Sequence, residues 1–252
     1  MTSVESTAGT ARLAYETLEP LHVLAYFSPR LGDAHRDVGI SLPAFYVGGR
    51  GGPLGDCAAS VVASSFYNFA PQMIAESWAQ ARSAGLEKVA ARRDQVLDDT
   101  LREILGDRLD GPEVGELAAG FAALATDLPF TGRPLAAAWA ATEAPDAAHL
   151  KLWYAVAVLR EWRGDNHIAL LVQHGLDGID AGVFHESELG DPSIRRRALG
   201  RVMFQLTRGL TEADWDASVD RLADRGLVER TDTGHALTDA GRDLYRTIED
   251  DT

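Results

Sequence analysis

The sequence predicts a mainly α protein, with a multi-helix N-terminal region and a smaller C-terminal module. Three observations predict it. Apolar residues recur at helical rather than alternating spacing along most of the chain. Alanine, the strongest helix former, comes in runs such as Ala136–Ala138, followed by Ala140 and Ala141. A short alternating segment lies near the end, between two amphipathic stretches.

The elements follow in order. Met1–Thr10 is polar and reads as a structureless tip, without the basic and apolar regions of a secretory signal. Ala11–Phe27 has helical spacing, with Pro20 either starting a second helix or kinking the first. Pro29 and Gly32 mark a turn. Phe45–Gly55 (FYVGGRGGPLG) reads as a glycine-rich loop that forms a wing or turn, and it lacks the closing G-K-[ST] of a phosphate cradle. Asp56 is placed to cap a helix over Cys57–Phe69 that stops before Pro71. Gly85–Gly106 sets Leu86, Val89, Val96, Leu97, Leu101 and Leu105 at helical spacing. Pro112–Asp127 and Pro134–Ala141 each open on a proline, which suits the first helical turn. A strongly apolar helix runs over His149–Arg163. Gly164 is expected to break it, and Asp165 to cap a further helix, Asn166–His174, that ends at Gly175. Ser193–Arg208, Thr211–Arg225 and Asp239–Glu249 close the chain as helices. This gives a tip at 1–10, a helical domain with a polar pocket at 11–190 and a module at 191–252. The first 80 residues also admit a degenerate copy of the last 60.

The 252 residues carry 38 acidic and 24 basic side chains, a formal charge of −14. Such a surplus argues against a surface built wholly to bind polyanions, because nucleic-acid affinity rests on Lys and Arg neutralising phosphates. Cys57 is the only cysteine, so no intrachain disulfide or thiolate cluster is available, and it reads as a small buried thiol. No apolar stretch approaches the ~18–20 residues of a membrane span. A cytoplasmic protein without a membrane partner is expected.

Five constellations interrupt the apolar helical pattern. Glu19 and His22 stand three apart, so a carboxylate can orient an imidazole on one helix face. Tyr46 and Arg50 lie in the glycine-rich stretch. Tyr67 and Asn68, between Phe66 and Phe69, suit a pocket lining or an aromatic core plug. Arg133 sits before Pro134 at a helix start, where it can grip an anion or pair with a carboxylate. The run Arg160–His167 gathers Arg160, Glu161, Arg163, Asp165, Asn166 and His167 at one helical corner. His167 near a helix N-terminus would be held neutral and able to accept a proton. His174 is seven residues further on, too far to chelate a metal with it as an i, i+4 pair would. No metal site and no cofactor are expected.

The C-terminal string "L-x-x-RGLVE … G-x-x-LTDAGRDLYRTIE" resembles the winged helix of MarR-like proteins, with Glu212–Arg225 as recognition helix. The wider pattern EPLH, FYNF, GRPL, RGD-x-H and RGLV resembles an actinobacterial winged helix-turn-helix family of about this length, from about residue 12 onward. The family usually has His where Trp162 stands here, which leaves His22 and His167 as its matching imidazoles. The resemblance implies a C-terminal winged helix and specialised-metabolite clusters as a setting.

Three functions remain open. The first is a cofactor-independent enzyme or small-molecule-binding protein on a winged-helix scaffold, its reaction a proton abstraction coupled to elimination, cyclisation or hydrolysis. His22 or His167 would be general base, oriented by Glu19 or Asp165. Arg50, Arg133 or Arg163 would stabilise an anion, and Tyr46, Tyr67 and Asn68 would line the pocket. The second is a ligand-responsive regulator. Against DNA, the recognition helix holds five acids and two arginines, and the segment from Thr207 to Thr252 has twelve acids and six arginines. Arg195, Arg196, Arg197, Arg201 and Arg208 keep DNA in play, unless they form a solvated, paired face. The third is an interaction protein docking on a partner. Pairing into a homodimer suits all three.

Overall fold

The computed structural model describes residues 4–190 and 198–252. The chain folds as two compact units, one of residues 1–62 and 76–165, the other of residues 63–75 and 166–252. The helical elements are α1 (Val4–Phe27), α2 (Leu31–Val38), α3 (Leu42–Gly51), α4 (Ala59–Ser65), α5 (Pro71–Ala84), α6 (Leu86–Leu105), α7 (Pro112–Thr126), α8 (Pro134–Ala140), α9 (Ala148–Gln173), α10 (Gly178–Glu186), α11 (Arg201–Arg208), α12 (Glu212–Asp224) and α13 (Asp239–Asp251). Two strands, β1 (Val228–Thr231) and β2 (Gly234–Leu237), lie between α12 and α13. No described helix is long and apolar enough to cross a membrane.

Several expectations are corrected. Helix α1 begins at Val4, so the tip is not structureless through Thr10, and it passes Pro20 without ending. The second compact unit draws in residues 63–75 and begins again at 166. The described residues before 80 contain no strand, so no wing forms there.

The stretch expected to be a glycine loop is helix α3 followed by a 3-10 turn at Gly52–Leu54. Ser41 caps α3 by accepting from the Ala44 N–H. Gly48 serves packing. A Cβ on Gly48 would stand 2.7 Å from the Cβ of Ala81 and 3.2 Å from Val89, so only glycine lets α3 approach its neighbours this closely. Helix α6 is contacted by α1, α2 and α3 and forms the spine of the first unit. Its Leu97 and Leu101 join Ala25, Tyr26, Leu135, Trp139, Trp153, Ala157 and Val158 in one buried cluster.

Gly164 does not break the long apolar helix, and α9 continues from Ala148 to Gln173. A glycine inside a helix costs only about 1 kcal/mol relative to alanine, which the flanking apolar turns offset. Asp165 is therefore not the cap of a new helix. It caps α8 instead, accepting from the Ala136 N–H at 2.9 Å, where the local N-cap Arg133 offers no side-chain bond. Asp56 likewise forms no part of α4, which starts at Ala59, and pairs with Arg82.

The second unit holds the winged helix. Thr211 and Asp214 form a reciprocal capping box at the start of α12. β1 and β2 pair antiparallel, with Val228 opposite Leu237 and Thr231 opposite Gly234, and Glu188 bridges to Ala236 to extend the wing. Thr238 caps α13. The core gathers Leu176, Val183, Phe184, Phe204, Trp215, Val219, Leu222, Leu237, Tyr245 and Ile248. Arg195, Arg196 and Arg197, and the expected helix start at Ser193, lie outside the described residues.

Candidate functional site

The first unit carries a buried ionic cluster where α1, α3 and α9 supply polar groups to an otherwise apolar interior. Spacings of three and four place Glu19, His22 and Tyr26 on one face of α1. From α3, Arg50 reaches Glu161 of α9 in a bidentate pair, Nε to Oε1 at 2.8 Å and Nη2 to Oε2 at 2.7 Å. Glu161 is 1% exposed and Arg50 8%. Arg160 Nη1 lies 3.5 Å from the same carboxylate, and Arg160 Nε lies 3.6 Å from Glu19 Oε2.

The electrostatics follow from burial set against charge. Burial alone would raise the Glu161 carboxyl, but Arg50 and Arg160 overcome it and hold its pKa at about 2. Burial also opposes the Arg50 charge, and Glu161 more than compensates. The carboxylate facing His22 is Glu161, its Oε1 3.9 Å from the imidazole Nε2. Its burial, with Arg160 next in weight, lowers its pKa from 6.5 to about 3, so the imidazole is neutral at physiological pH. Burial pushes the Tyr26 phenol up, so it keeps its proton.

Aromatic rings wall this cluster. The His22 imidazole lies parallel to the Trp153 indole, with centroids 5.8 Å apart, and Trp153 Nε1 donates to the His22 carbonyl. Tyr46 meets Tyr26 edge-on at 5.3 Å. Arg93 donates to the Gly49 carbonyl and lies against the rings of Trp139 and Trp153. Within this setting three buried polar atoms have no hydrogen-bond partner among the described residues: Glu19 Oε2, His22 Nδ1 and Tyr26 Oη. Such atoms are rare in native interiors, because leaving one unmade costs about 1–3 kcal/mol.

Of the residues expected to form one site, Glu19, His22, Tyr46 and Arg50 belong to this cluster. Asp165 lies close enough to feel the charges of Glu161 and Arg50, and burial raises its pKa, but its carboxylate is engaged in capping α8. Arg163 stacks over the Tyr15 ring at 4.0 Å. Arg133 folds back on its own loop, donating to the carbonyls of Pro129 and Thr131 and lying over Trp162. The carboxylate beside His22 is Glu161, not the expected Glu19, whose partner is Arg160.

Tyr67, Asn68 and His167 belong to the second unit. Tyr67 donates to the Leu176 carbonyl at 2.5 Å, Asn68 lies half-buried in the same turn, and His167 Nδ1 is 3.0 Å from Thr252 Oγ1. The sequence reading gathers Arg160 and Glu161 in one polar run without giving either a role, and passes over Tyr26 and Trp153. The signal for them was available, since Tyr26 follows His22 by four and Arg160-Glu161 is a charged pair within an apolar helix.

The second unit presents the other candidate surface, α12 with its wing. Trp215, Ser218, Val219 and Leu222 face inward. Arg221 turns back to Asp180, Nη2 to Oδ1 at 2.6 Å, and Arg225 donates to the carbonyls of His174 and Gly175. Arg230 of the wing pairs with Asp220. The outward face is left to Glu212, Ala213, Asp216, Ala217, Asp220 and Asp224. A helix reading the major groove needs donors toward the bases, and here both of its arginines, though exposed, are bonded to the protein itself, Arg221 to Asp180 and Arg225 to backbone carbonyls.

A winged helix in a mainly helical chain defines a helix-turn-helix protein in architecture. Residues 11–252 match the model of a helix-turn-helix family, and the chain belongs to that family. No curated protein and no solved structure matches it.

Proposed function

We propose that the protein binds a small polar ligand in the first unit, at the cluster of Glu19, His22, Tyr26, Tyr46, Arg50, Arg160 and Glu161, and that its winged helix serves as scaffold rather than as a DNA reader. The observation that carries this reading is the set of three buried polar atoms, Glu19 Oε2, His22 Nδ1 and Tyr26 Oη, that make no hydrogen bond among the described residues. A ligand offering a donor to Glu19, a partner to His22 Nδ1 and an acceptor to Tyr26 would satisfy all three. The cluster's fixed charges are already paired, so an uncharged, hydrogen-bonding molecule fits better than an anion. Specialised metabolites, the setting implied by the sequence resemblance, include many molecules of this kind.

Between binding and proton-transfer catalysis, the electrostatics favour binding. A general base works best with a pKa near the operating pH, and an imidazole held at about 3 is a poor one at neutral pH. Its ring suits hydrogen bonding and stacking instead. The test is a thermal-shift screen of uncharged polar metabolites against the wild type and His22→Phe/Tyr26→Phe. At least one compound should raise the melting temperature of the wild type and not of the double variant. A screen in which no compound distinguishes the two proteins would overturn the reading.

A ligand-responsive regulator is favoured only by the family itself. It predicts a salt-sensitive mobility shift of duplex DNA. With carboxylates on the outer face of α12, no shift is expected at about 50 mM salt, where phosphate contacts are strongest.

A further inference from the structure

The cluster assigned to ligand binding is closed, with His22 2% and Tyr26 7% exposed. A molecule reaches Glu19 Oε2, His22 Nδ1 and Tyr26 Oη only if some element moves. Helix α1 is built in two parts. Beyond Pro20 it belongs to the core, with His22, Ala25 and Tyr26 buried. Before it, residues 9–14 are exposed and residues 15–19 are at most half-buried. The outer part therefore gains little from tertiary packing, the main support of a helix in water.

Pro20 weakens the joint between the parts. It has no N–H to give the Glu16 carbonyl four residues back, and its ring crowds that carbonyl. Helices bend at such positions. Glu19 and His22 fall on either side of it, so a bend there moves one wall of the cluster and leaves the other fixed.

The outer part is held down by contacts that break and re-form readily. The Tyr15 ring lies against the Arg163 guanidinium at 4.0 Å, and Glu19 Oε2 lies 3.6 Å from Arg160 Nε, an ion pair too long for a hydrogen bond. Leu18 adds an apolar contact with the cluster of Val114 and Val156. Tyr15 and Glu19 are four apart and Arg160 and Arg163 three apart, so both polar contacts lie along one seam between α1 and α9. Glu19 and Arg160, with side chains 17% and 28% exposed, are more accessible than Arg50 and Glu161, and they mark where the seam meets solvent.

We infer that the part of α1 before Pro20 is a lid over the cluster, hinged at Pro20 and latched to α9 by Tyr15 and Glu19. Its purpose rests on the ligand-binding reading, but its motion does not, because the protein opens without ligand. Opening parts Tyr15 from Arg163 and Glu19 from Arg160 and uncovers His22 Nδ1, while His22 and Tyr26 stay seated in the core.

The test measures access to His22 in the ligand-free, full-length protein near neutral pH. Diethyl pyrocarbonate acylates neutral imidazoles, and peptide mass spectrometry reads each histidine separately. His149, buried on α9 and paired with Asp98 outside the cluster, reports unfolding of the unit, and half-buried His35 reports the reagent. Pro20→Ala restores the bond to the Glu16 carbonyl and should slow acylation of His22 roughly fivefold, the weight of one hydrogen bond. Tyr15→Ala removes a latch and should speed it by a similar factor. His149 and His35 should keep their wild-type rates in both variants. A His22 that stays unlabelled, that is labelled in step with His149, or that either substitution leaves unchanged would overturn the lid. With no ligand present, a failure here leaves the thermal-shift result standing, and an empty screen leaves the lid standing.

Discussion

Removing one side of the Arg50–Glu161 pair and removing both have different consequences. Glu161→Gln leaves two guanidinium groups, Arg50 and Arg160, facing a neutral amide in the interior. Stranding a buried charge in this way costs about 3–5 kcal/mol. Arg50→Met/Glu161→Leu removes both halves and replaces them with apolar volume, so it should be less destabilising than Glu161→Gln. Urea denaturation of the three proteins checks the order, and a double variant weaker than the single one would show that the pair earns its place through net attraction. Part of this site could be read from the chain. Glu19, His22, Tyr46 and Arg50 stand out as polar residues in apolar context, whereas the partner of His22 could not be read, because Glu161 lies 139 positions away and only the packing of α9 on α1 brings it near. Arg133 and Arg163 show a second use of the guanidinium group that the chain does not announce. Both guanidinium groups found local rings, Trp162 and Tyr15, a use that composition does not distinguish from anion binding.

At the level of elements, helix ends were the most legible feature, since caps and prolines are local chemistry. The Thr211–Asp214 box and the prolines opening α7 and α8 lie where the sequence indicates. Glycine was the least legible, because the same residue can free a backbone or let two elements touch. Gly164 breaks nothing, and Gly48 and Gly49 lie within α3 rather than in a loop. This dual use yields a test. A Cβ on Gly178 would fall 1.9 Å from the Tyr67 carbonyl oxygen, and one on Gly241 2.0 Å from that of Leu227, so backbone would have to move. Gly178→Ala and Gly241→Ala should each lower the stability of the second unit by about 1–3 kcal/mol or more. Gly115→Ala, in α7 with open space around it, should raise stability by up to about 1 kcal/mol. Thermal melts of the three variants decide, and equal effects would contradict the packing role.

For the molecule as a whole, the buried cluster ties stability to pH in a definite direction. Above pH 6.5 His22 is neutral both folded and unfolded and contributes no dependence. Below it, the unfolded chain takes up a proton that the folded one refuses down to about pH 3. Stability therefore falls with acid, at up to about 1.4 kcal/mol per pH unit from this one group. Glu161 adds to the loss below its unfolded value of 4.5, as the pH approaches about 2. His22→Phe keeps a ring against Trp153 and should flatten the melting temperature between pH 6.5 and 4.5; a slope parallel to wild type would assign the acid sensitivity elsewhere. The interleaving of the two units also acts in time. Residues 63–75 leave the ribosome with the first unit but fold with the second, which resumes at residue 166. At roughly 5–20 residues per second, synthesis takes about 5–20 s to cross the ninety residues between them. Through that interval Phe69 lacks its cover from Arg208, and Ala70 lacks the Arg208 carbonyl that its N–H will bind. Vectorial synthesis thus leaves a short aromatic segment waiting for its partners, a natural point for chaperone capture and for misfolding when translation stalls.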